Sequence, residues 1–177
     1  MTKKSKKKVE SDEKKIIKQL IKNSNESINK IAEKCSFSRQ KVWRIIKNLE
    51  KNNTIWGYTA VVDQEKQGLN SFMLLIKRGG PSVPRDKVKE ITNRTLDDIA
   101  EKNNIFIESS FYLNGNYDWV ICFTAVDLKK AKKFAEIFIK MYQGHVVEVN
   151  LLEKIFPAKK CGIVNPEIEK LTEYIGL

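Results

Sequence analysis

Residues 27–51 read SINKIAEKCSFSRQKVWRIIKNLEK, and this stretch decides the fold of the first third of the chain. Ser27 stands where it caps a helix in which Ile28, Ile31, Ala32 and Cys35 fall at i, i+3, i+4 and i+7, one narrow apolar stripe. Ser36 and Phe37 break that helix. Ser38 caps the next, which runs to about Lys51 with Val42, Ile45, Ile46 and Leu49 facing inward. Upstream, Ile16, Ile17, Leu20 and Ile21 repeat at helical spacing behind Ser11 or Asp12, which predicts a first helix ending near Asn23. Three short helices with a tight turn between the second and third make a helix-turn-helix, which leaves the outer face of its last helix free for the major groove.

That outer face carries one sign of charge. At about 100° per residue, Gln40, Arg44, Lys47 and Lys51 point away from the apolar set, and Arg39, Lys41 and Trp43 lie on its flanks. No acidic residue stands between Ser36 and Leu49. Arg44 suits a bidentate pair with guanine and Gln40 one with adenine, while Lys41, Lys47 and the amides at the helix start, beside Ser38, suit phosphates. Ser38, Arg39, Gln40, Lys41, Trp43, Arg44 and Lys47 are therefore the candidate DNA-contacting residues. Trp43 also reads as a packing residue against the first helix or a partner subunit.

The charge balance places the duplex-binding surface in the same part of the chain. Residues 1–60 hold 16 Lys/Arg against 6 Asp/Glu, a net of +10, and residues 61–177 hold 17 against 16, a net of +1. Attraction to a phosphate backbone needs that local excess, so double-stranded DNA is the expected partner of the first third. Residues 1–10 include Lys3, Lys4, Lys6, Lys7 and Lys8 and almost nothing apolar, which predicts a flexible basic arm. The 177 residues are 41% apolar and 31% charged, the composition of a soluble globular protein. The longest apolar run, Trp119 to Val126, is far short of the roughly 20 residues that cross a bilayer, and the lysine-rich start lacks a signal-peptide core. No membrane partner is expected, and the expected location is the cytoplasm, on nucleoid DNA. Cys35, Cys122 and Cys161 suggest neither a disulfide framework nor a metal knuckle, so a reducing compartment and no metal or cofactor are expected.

Beyond the head, Ile55 to Val62 reads as a strand and Gln64 to Asn70 as a polar linker, which sets the domains at 11–63, 71–157 and a C-terminal extension, 158–177. Ser71 to Lys77 is a short apolar strand, followed by a helix from about Arg85 to Lys102 with Val88, Ile91, Leu96 and Ile99 on its buried face. The strands Ile105 to Leu113 and Trp119 to Val126 form a hairpin through Asn114-Gly115-Asn116-Tyr117-Asp118. Asp127 caps a helix with the stripe Leu128, Ala131, Phe134, Phe138 and Met141, and Val147, Val149 and Leu151 alternate inward along a last strand. The order βαββαβ is that of a ferredoxin-like sandwich, with helices on one sheet face and the other open. Phe106, Tyr112 and Val120 are placed on the open face, and an apolar sheet of that size is expected to be covered by a second copy, giving a homodimer. In the extension, Asn165-Pro166 starts a short helix with Ile168, Leu171 and Tyr174 on one side, expected to pack on the partner subunit.

Residues 27–38 with Val42, Ile46, Leu49-Glu50, Ile55, Gly57-Tyr58-Thr59-Ala60 and Val62-Asp63 resemble the feast/famine, or Lrp/AsnC, transcriptional regulators. The resemblance implies an α+β chain with an N-terminal winged helix-turn-helix domain and a C-terminal βαββαβ domain. That second domain dimerises, senses an amino acid in many members, and often assembles further into tetramers or octamers. Cys35-Ser36 departs from the family's usual Leu-Gly pair, and Ile45 and Trp56 stand where a basic or polar residue is common. Gly115, Asn116, Tyr117 and Asp118 look like the segment near the family's small-molecule pocket. Gly115 permits close backbone approach, Asp118 suits an ammonium group and Tyr117 covers an apolar side chain, though a β-hairpin needs such residues merely to turn.

Catalysis has little support in the sequence. His145 is the single histidine and has no neighbouring nucleophile, Asp97 and Asp98 diverge on a helix, and no phosphate-cradling glycine loop occurs. Cys161 has nothing nearby to lower its pKa and reads as inert. Two further readings compete with a sequence-specific regulator. One is a DNA-compacting architectural protein with a small ratio of specific to non-specific affinity. The other is a tetrapyrrole decarboxylase, which resembles this two-domain plan but needs a basic, histidine-bearing pocket.

Overall fold

Ser27 and Ser38 cap the helices they precede. The computed structural model describes residues 3–80 and 82–176. It divides into two compact units, residues up to Val61 with Ala158–Ile168, and Val62–Pro157 with the residues from Glu169 onward. In the head, α1 spans Lys3–Lys22, α2 Ile28–Cys35 and α3 Arg39–Lys51. Ser27 Oγ accepts from the Lys30 N–H at 3.3 Å and Ser38 Oγ from the Lys41 N–H at 3.2 Å. Each cap stabilises its helix by about 0.5–2 kcal/mol. Between them Ser36 turns left-handed, with φ 55° and ψ 47°. The Ser36 N–H then donates to the Glu33 carbonyl at 3.1 Å and the Phe37 N–H to that of Ala32 at 2.9 Å. These bonds satisfy the end of α2 and set the sharp angle to α3. Ile16, Ile31, Ala32, Cys35, Val42, Ile45, Ile46 and Leu49 form the core, with Leu20, Ile28, Phe37 and Ile55 packed against it.

Four expectations for the head change. Helix α1 begins at Lys3, so the basic segment expected to be a flexible arm is helical from there, and Met1 and Thr2 lie outside the described residues. No glycine or proline interrupts Lys3–Lys22, lysine is a good helix former, and extending an existing helix backwards costs far less than nucleating one. Ser11 and Asp12 therefore lie inside α1 and cap nothing. Ile21 is 68% exposed, a full step off the buried stripe led by Ile16. The stretch Ile55 to Val62 forms no strand, because no described strand runs beside it and an unpaired strand leaves its own ladder unsatisfied. Ile55 anchors to the core, Trp56 stands exposed, and the Tyr58 hydroxyl donates to Glu50 Oε1 at 3.1 Å.

The second unit is the ferredoxin-like sandwich. Its elements are β1 (Asn70–Arg78), α4 (Arg85–Thr92), α5 (Thr95–Lys102), β2 (Phe106–Tyr112), β3 (Trp119–Ala125), α6 (Leu128–Met141) and β4 (Val146–Lys154). The sheet is antiparallel in the order β2-β3-β1-β4. Alternation along β1 and β3 sends Phe72, Leu74, Ile76, Trp119, Ile121 and Phe123 to one face, where Leu96 and Ala100 of α5 and Ala131, Phe134 and Phe138 of α6 complete the core. Asp127 Oδ1 caps α6 by accepting from the Lys130 N–H at 2.7 Å.

The helix expected over Arg85–Lys102 is two helices. Asn93 ends α4 and Arg94 takes a left-handed φ of 60° before α5 starts. The kink rotates the second segment, so Ala100 rather than Ile99 is buried with Leu96, and Val88 is left 45% exposed. Register irregularities correct the strand faces. A bulge between Ile107 and Ser109 flips side-chain parity along β2, so Phe106 lies opposite Thr124 on the open face while Tyr112 lies opposite Trp119 on the helix face. A second one at Lys77/Arg78 pairs Arg78 with Val146, which turns Val146 inward and leaves Val147 exposed. Val120 does lie on the open face, buried between its lateral partners Phe111 and Leu75. Phe106, Phe111 and Leu152 are exposed there.

The extension expected at 158–177 is divided between the units. β5 (Lys159–Lys160) and β6 (Ile163–Val164) form a small hairpin about Cys161 and Gly162, both at positive φ. Asn165 Oδ1 accepts from the Glu167 N–H at 2.8 Å, which holds the chain in a turn, so the last helix, α7 (Leu171–Ile175), starts later than Asn165-Pro166 implies. The Tyr174 ring of α7 lies 5.2 Å from that of Phe156 in the same chain.

Candidate DNA-reading face

Helix α3 carries the candidate face because its other side is consumed by the core. Val42, Ile45, Ile46 and Leu49 are buried, and Arg39, Gln40, Arg44, Lys47 and Lys51 are exposed together with the cap Ser38. Trp43 is 53% exposed and joins this surface. Arg39, Arg44 and Lys51 make no ion pair within the described part of the chain. Their charge faces solvent undiminished by an internal partner.

Two lysines of the predicted set behave differently. Lys41 Nζ lies 2.7 Å from Asp12 Oδ2 and 3.7 Å from the centre of the Phe37 ring. It ties α1 to the turn before α3, an anchoring position directed inward. Lys47 Nζ lies 2.7 Å from Glu50 Oε2, on the exposed side. The Lys47 ammonium, and after it the Tyr58 hydroxyl, hold the Glu50 carboxyl below its ordinary pKa, so Glu50 stays ionised and a phosphate must compete with it for Lys47. Burial lifts the Cys35 thiol above its ordinary pKa against a smaller opposing pull from Lys15, which makes it a packing residue and a poor nucleophile.

The predicted effector turn is held by the sheet. Asp118 Oδ2 accepts from the Arg78 N–H at 2.7 Å, Oδ1 lies 3.5 Å from Arg78 Nε, and the Asp118 N–H donates to the Ile76 carbonyl at 2.9 Å. Tyr117 Oη accepts from Asn150 Nδ2 at 3.0 Å. Gly115 and Asn116 are exposed, and a Cβ at Gly115 would meet nothing within 4 Å, so close approach does not require glycine there in a single chain. The turn brings its four residues together in sequence, and its polar groups are spent on the sheet beside it. Among the described residues no group of His, Cys, Asp and Glu is arranged to hold a metal ion, and no helix is long and apolar enough to cross a membrane.

Residues 13–55, covering most of α1 with α2 and α3, match the family of winged helix-turn-helix DNA-binding domains. The head is a DNA-binding helix-turn-helix of that class. The fold of most of the chain is shared with solved structures, some of them of transcriptional regulators. The protein PH0061 is 23% identical over 84% of this chain and 94% of its own, with a TM-score of 0.68. The regulator NMB0573 of Neisseria meningitidis, solved as a complex with L-methionine, is 17% identical over 84% of this chain and 91% of its own, with a TM-score of 0.64. An AsnC family regulator of Agrobacterium tumefaciens is 16% identical over 93% of this chain and 97% of its own, with a TM-score of 0.62. No curated protein sequence matches the chain.

Proposed function

We propose that the protein is a sequence-specific transcriptional regulator of the Lrp/AsnC type, acting as a homodimer or larger homo-oligomer on double-stranded DNA in the cytoplasm. The observation that carries this reading is the exposed face of α3, cationic and free of acid along Ser36 to Leu49, on a head that matches a DNA-binding family. Arg44 and Gln40 read bases, and Arg39, Lys47 and Lys51 meet phosphates. Lys41 orients the helix by its hold on Asp12. The exposed apolar positions Phe106, Phe111 and Leu152 on the open sheet face support pairing of two copies through the second unit. A dimer then presents two recognition helices to half-sites about one helical turn, or a multiple of it, apart. The reading assigns the chain binding and no catalysis.

An amino acid is the proposed effector, since the Neisseria structure of the same fold is a complex with L-methionine. At Gly115 to Asp118 its ammonium group would share Asp118 with Arg78.

Selection of sites from a random duplex pool, repeated with variants, tests the reading. Arg44→Ala is expected to relax base preference at one position per half-site at a cost of about 1–3 kcal/mol, and Lys47→Ala to weaken all sequences alike. Selection that yields no shared motif would instead favour a DNA-compacting protein. If both variants leave the motif and the affinity unchanged, α3 is not the reading helix. Adding L-methionine to the same titration should shift DNA affinity, and an unchanged isotherm would remove that amino acid as effector.

A further inference from the structure

A cleft of about 270 Å³ opens on the helix side of the second unit's sheet, where the end of β1, α4, the β2–β3 hairpin and the segment after α6 converge. Its walls include Val88, Ile91, Tyr112, Trp119, Tyr142 and His145, and Arg78 is the charged residue at its edge. The size suits a one-ring ligand, just under the range of about 300–1,000 Å³ usual for small-molecule sites.

The apolar walls contain polar atoms that lack hydrogen-bond partners. Tyr142 is 3% exposed, and its hydroxyl and His145 Nδ1 are buried without a partner among the described residues. A buried hydroxyl left unpaired is rare in folded chains. The backbone fixes both groups. The Tyr142 N–H donates to the Phe138 carbonyl, the His145 N–H to that of Tyr142 at 3.0 Å, and the Gly79 N–H to that of His145 at 3.1 Å. That last bond needs a close approach which side chains would block. A Cβ at Gly79 would fall 2.2 Å from Val147 Cγ1, and one at Gly80, whose φ is +81°, would fall 2.8 Å from the Gly144 carbonyl oxygen. The paired glycines let this strap press against residues 144–147 and pin His145 beside the cleft.

The ring geometry describes the ligand further. Trp119 stacks on Tyr112 with centroids 5.1 Å apart and meets Tyr142 edge-on at 5.6 Å. These rings form an aromatic floor next to the unpaired hydroxyl. Arg78 and Arg94 both pull the Tyr112 hydroxyl towards ionisation against the larger effect of burial, whereas burial, then Tyr112 and Glu90, push the Tyr142 hydroxyl up to about 12, which keeps it a protonated donor. Among the described residues no carboxylate is part of the wall, and the acids beside it are engaged, Asp118 with Arg78 and Glu90 with Lys87, so an ammonium group inside meets no free counter-charge.

We propose that this cleft is a binding site for a small aromatic monocarboxylate, its ring against Trp119 and Tyr112 and its carboxylate taken by the Tyr142 hydroxyl and the Arg78 guanidinium. The site adjoins the Gly115 to Asp118 turn, whose Asp118 holds Arg78, but is walled by none of that turn's four residues, and it goes beyond the regulatory reading because its test involves no DNA.

In a full-length chain carrying Trp43→Phe and Trp56→Phe, Trp119 becomes the sole tryptophan and reports on the cleft directly. Titration with 3-phenylpropionate is expected to give a saturable change in its emission, and calorimetry on the unsubstituted chain should return the same affinity. The neutral 3-phenylpropanamide and the ammonium-bearing L-phenylalanine are expected to bind about ten-fold more weakly or worse. Tyr142→Phe removes only the unpaired oxygen and should cost about ten-fold in affinity with an unchanged far-UV spectrum, and Arg78→Gln a similar factor. Absence of saturation at millimolar acid, equal affinity for acid and amide, or affinity untouched by Tyr142→Phe would each overturn the assignment.

Discussion

Raising the salt from about 50 to about 200 mM is expected to weaken duplex binding by about a thousand-fold. The cause is counterion release, which the proposed reading assigns to the exposed cations of α3. On that reading Arg39, Lys47 and Lys51 from each of two heads would meet about six phosphates, for which the slope of log K against log salt is close to −5. Lys47 contributes less than its exposure suggests, because Glu50 must be given up when a phosphate arrives. Lys41 should contribute nothing to the slope, since its ammonium is engaged with Asp12 and the Phe37 ring. Filter binding or fluorescence anisotropy across that salt range measures this directly. Lys51→Gln should flatten the slope while Lys41→Gln leaves it unchanged and lowers the unfolding midpoint of the head. A slope near zero for the unsubstituted chain would mean that α3 does not face a phosphate backbone. Equal flattening by both variants would mean that the Lys41–Asp12 pair opens on the duplex.

The head was legible because its signals are local. Ser27 and Ser38 cap within three residues of themselves, and the stripes Ile31-Ala32-Cys35 and Val42-Ile45-Ile46-Leu49 follow the period of a single helix. The order of strands and helices in the second unit was legible for the same reason. What the sequence did not display was anything set by a neighbouring strand. Phe106 and Tyr112 have the same parity in sequence and face opposite sides of the sheet, because the bulge at Glu108 depends on the β3 ladder. Val147 alternates with Val149 and Leu151 as letters and is turned out by the irregularity opposite Lys77/Arg78. The break at Asn93-Arg94 lacked a proline or glycine to announce it. The cleft was not displayed by any spacing, since Arg78, Ile91, Trp119, Tyr142 and His145 come from separate parts of the chain. Its one available hint was His145, a lone histidine in a chain otherwise rich in lysine.

Truncating Phe123 to alanine is expected to cost the second unit about 3–5 kcal/mol, a large part of the about 5–15 kcal/mol that holds a typical domain folded. Phe123 is fully buried at the centre of β3, with ring centroids 5.6 Å from Phe72 and 5.0 Å from Phe134, so the truncation empties the point where the sheet meets α6. Neighbouring rings cannot collapse into that space without leaving their own contacts on β1 and α6. The head has a separate core around Ile16, Ile31, Val42 and Leu49, none of which belongs to the cluster that holds Phe123. Urea unfolding of the full chain should therefore split. Near-UV signal from Trp119 is lost at lower denaturant than in the parent, while the helical signal of the head persists to the parent midpoint. Thermal midpoints follow the same division, at about 4–8 °C per kcal/mol for a unit of about 60–100 residues. If two heads are held together by the second unit, this variant should also bind DNA at conditions that melt that unit as a single head does, with half the salt slope of the parent. A single transition that shifts as a whole would show that the two cores melt together. An undiminished salt slope after the second unit has melted would show that the heads need no help from it to act as a pair.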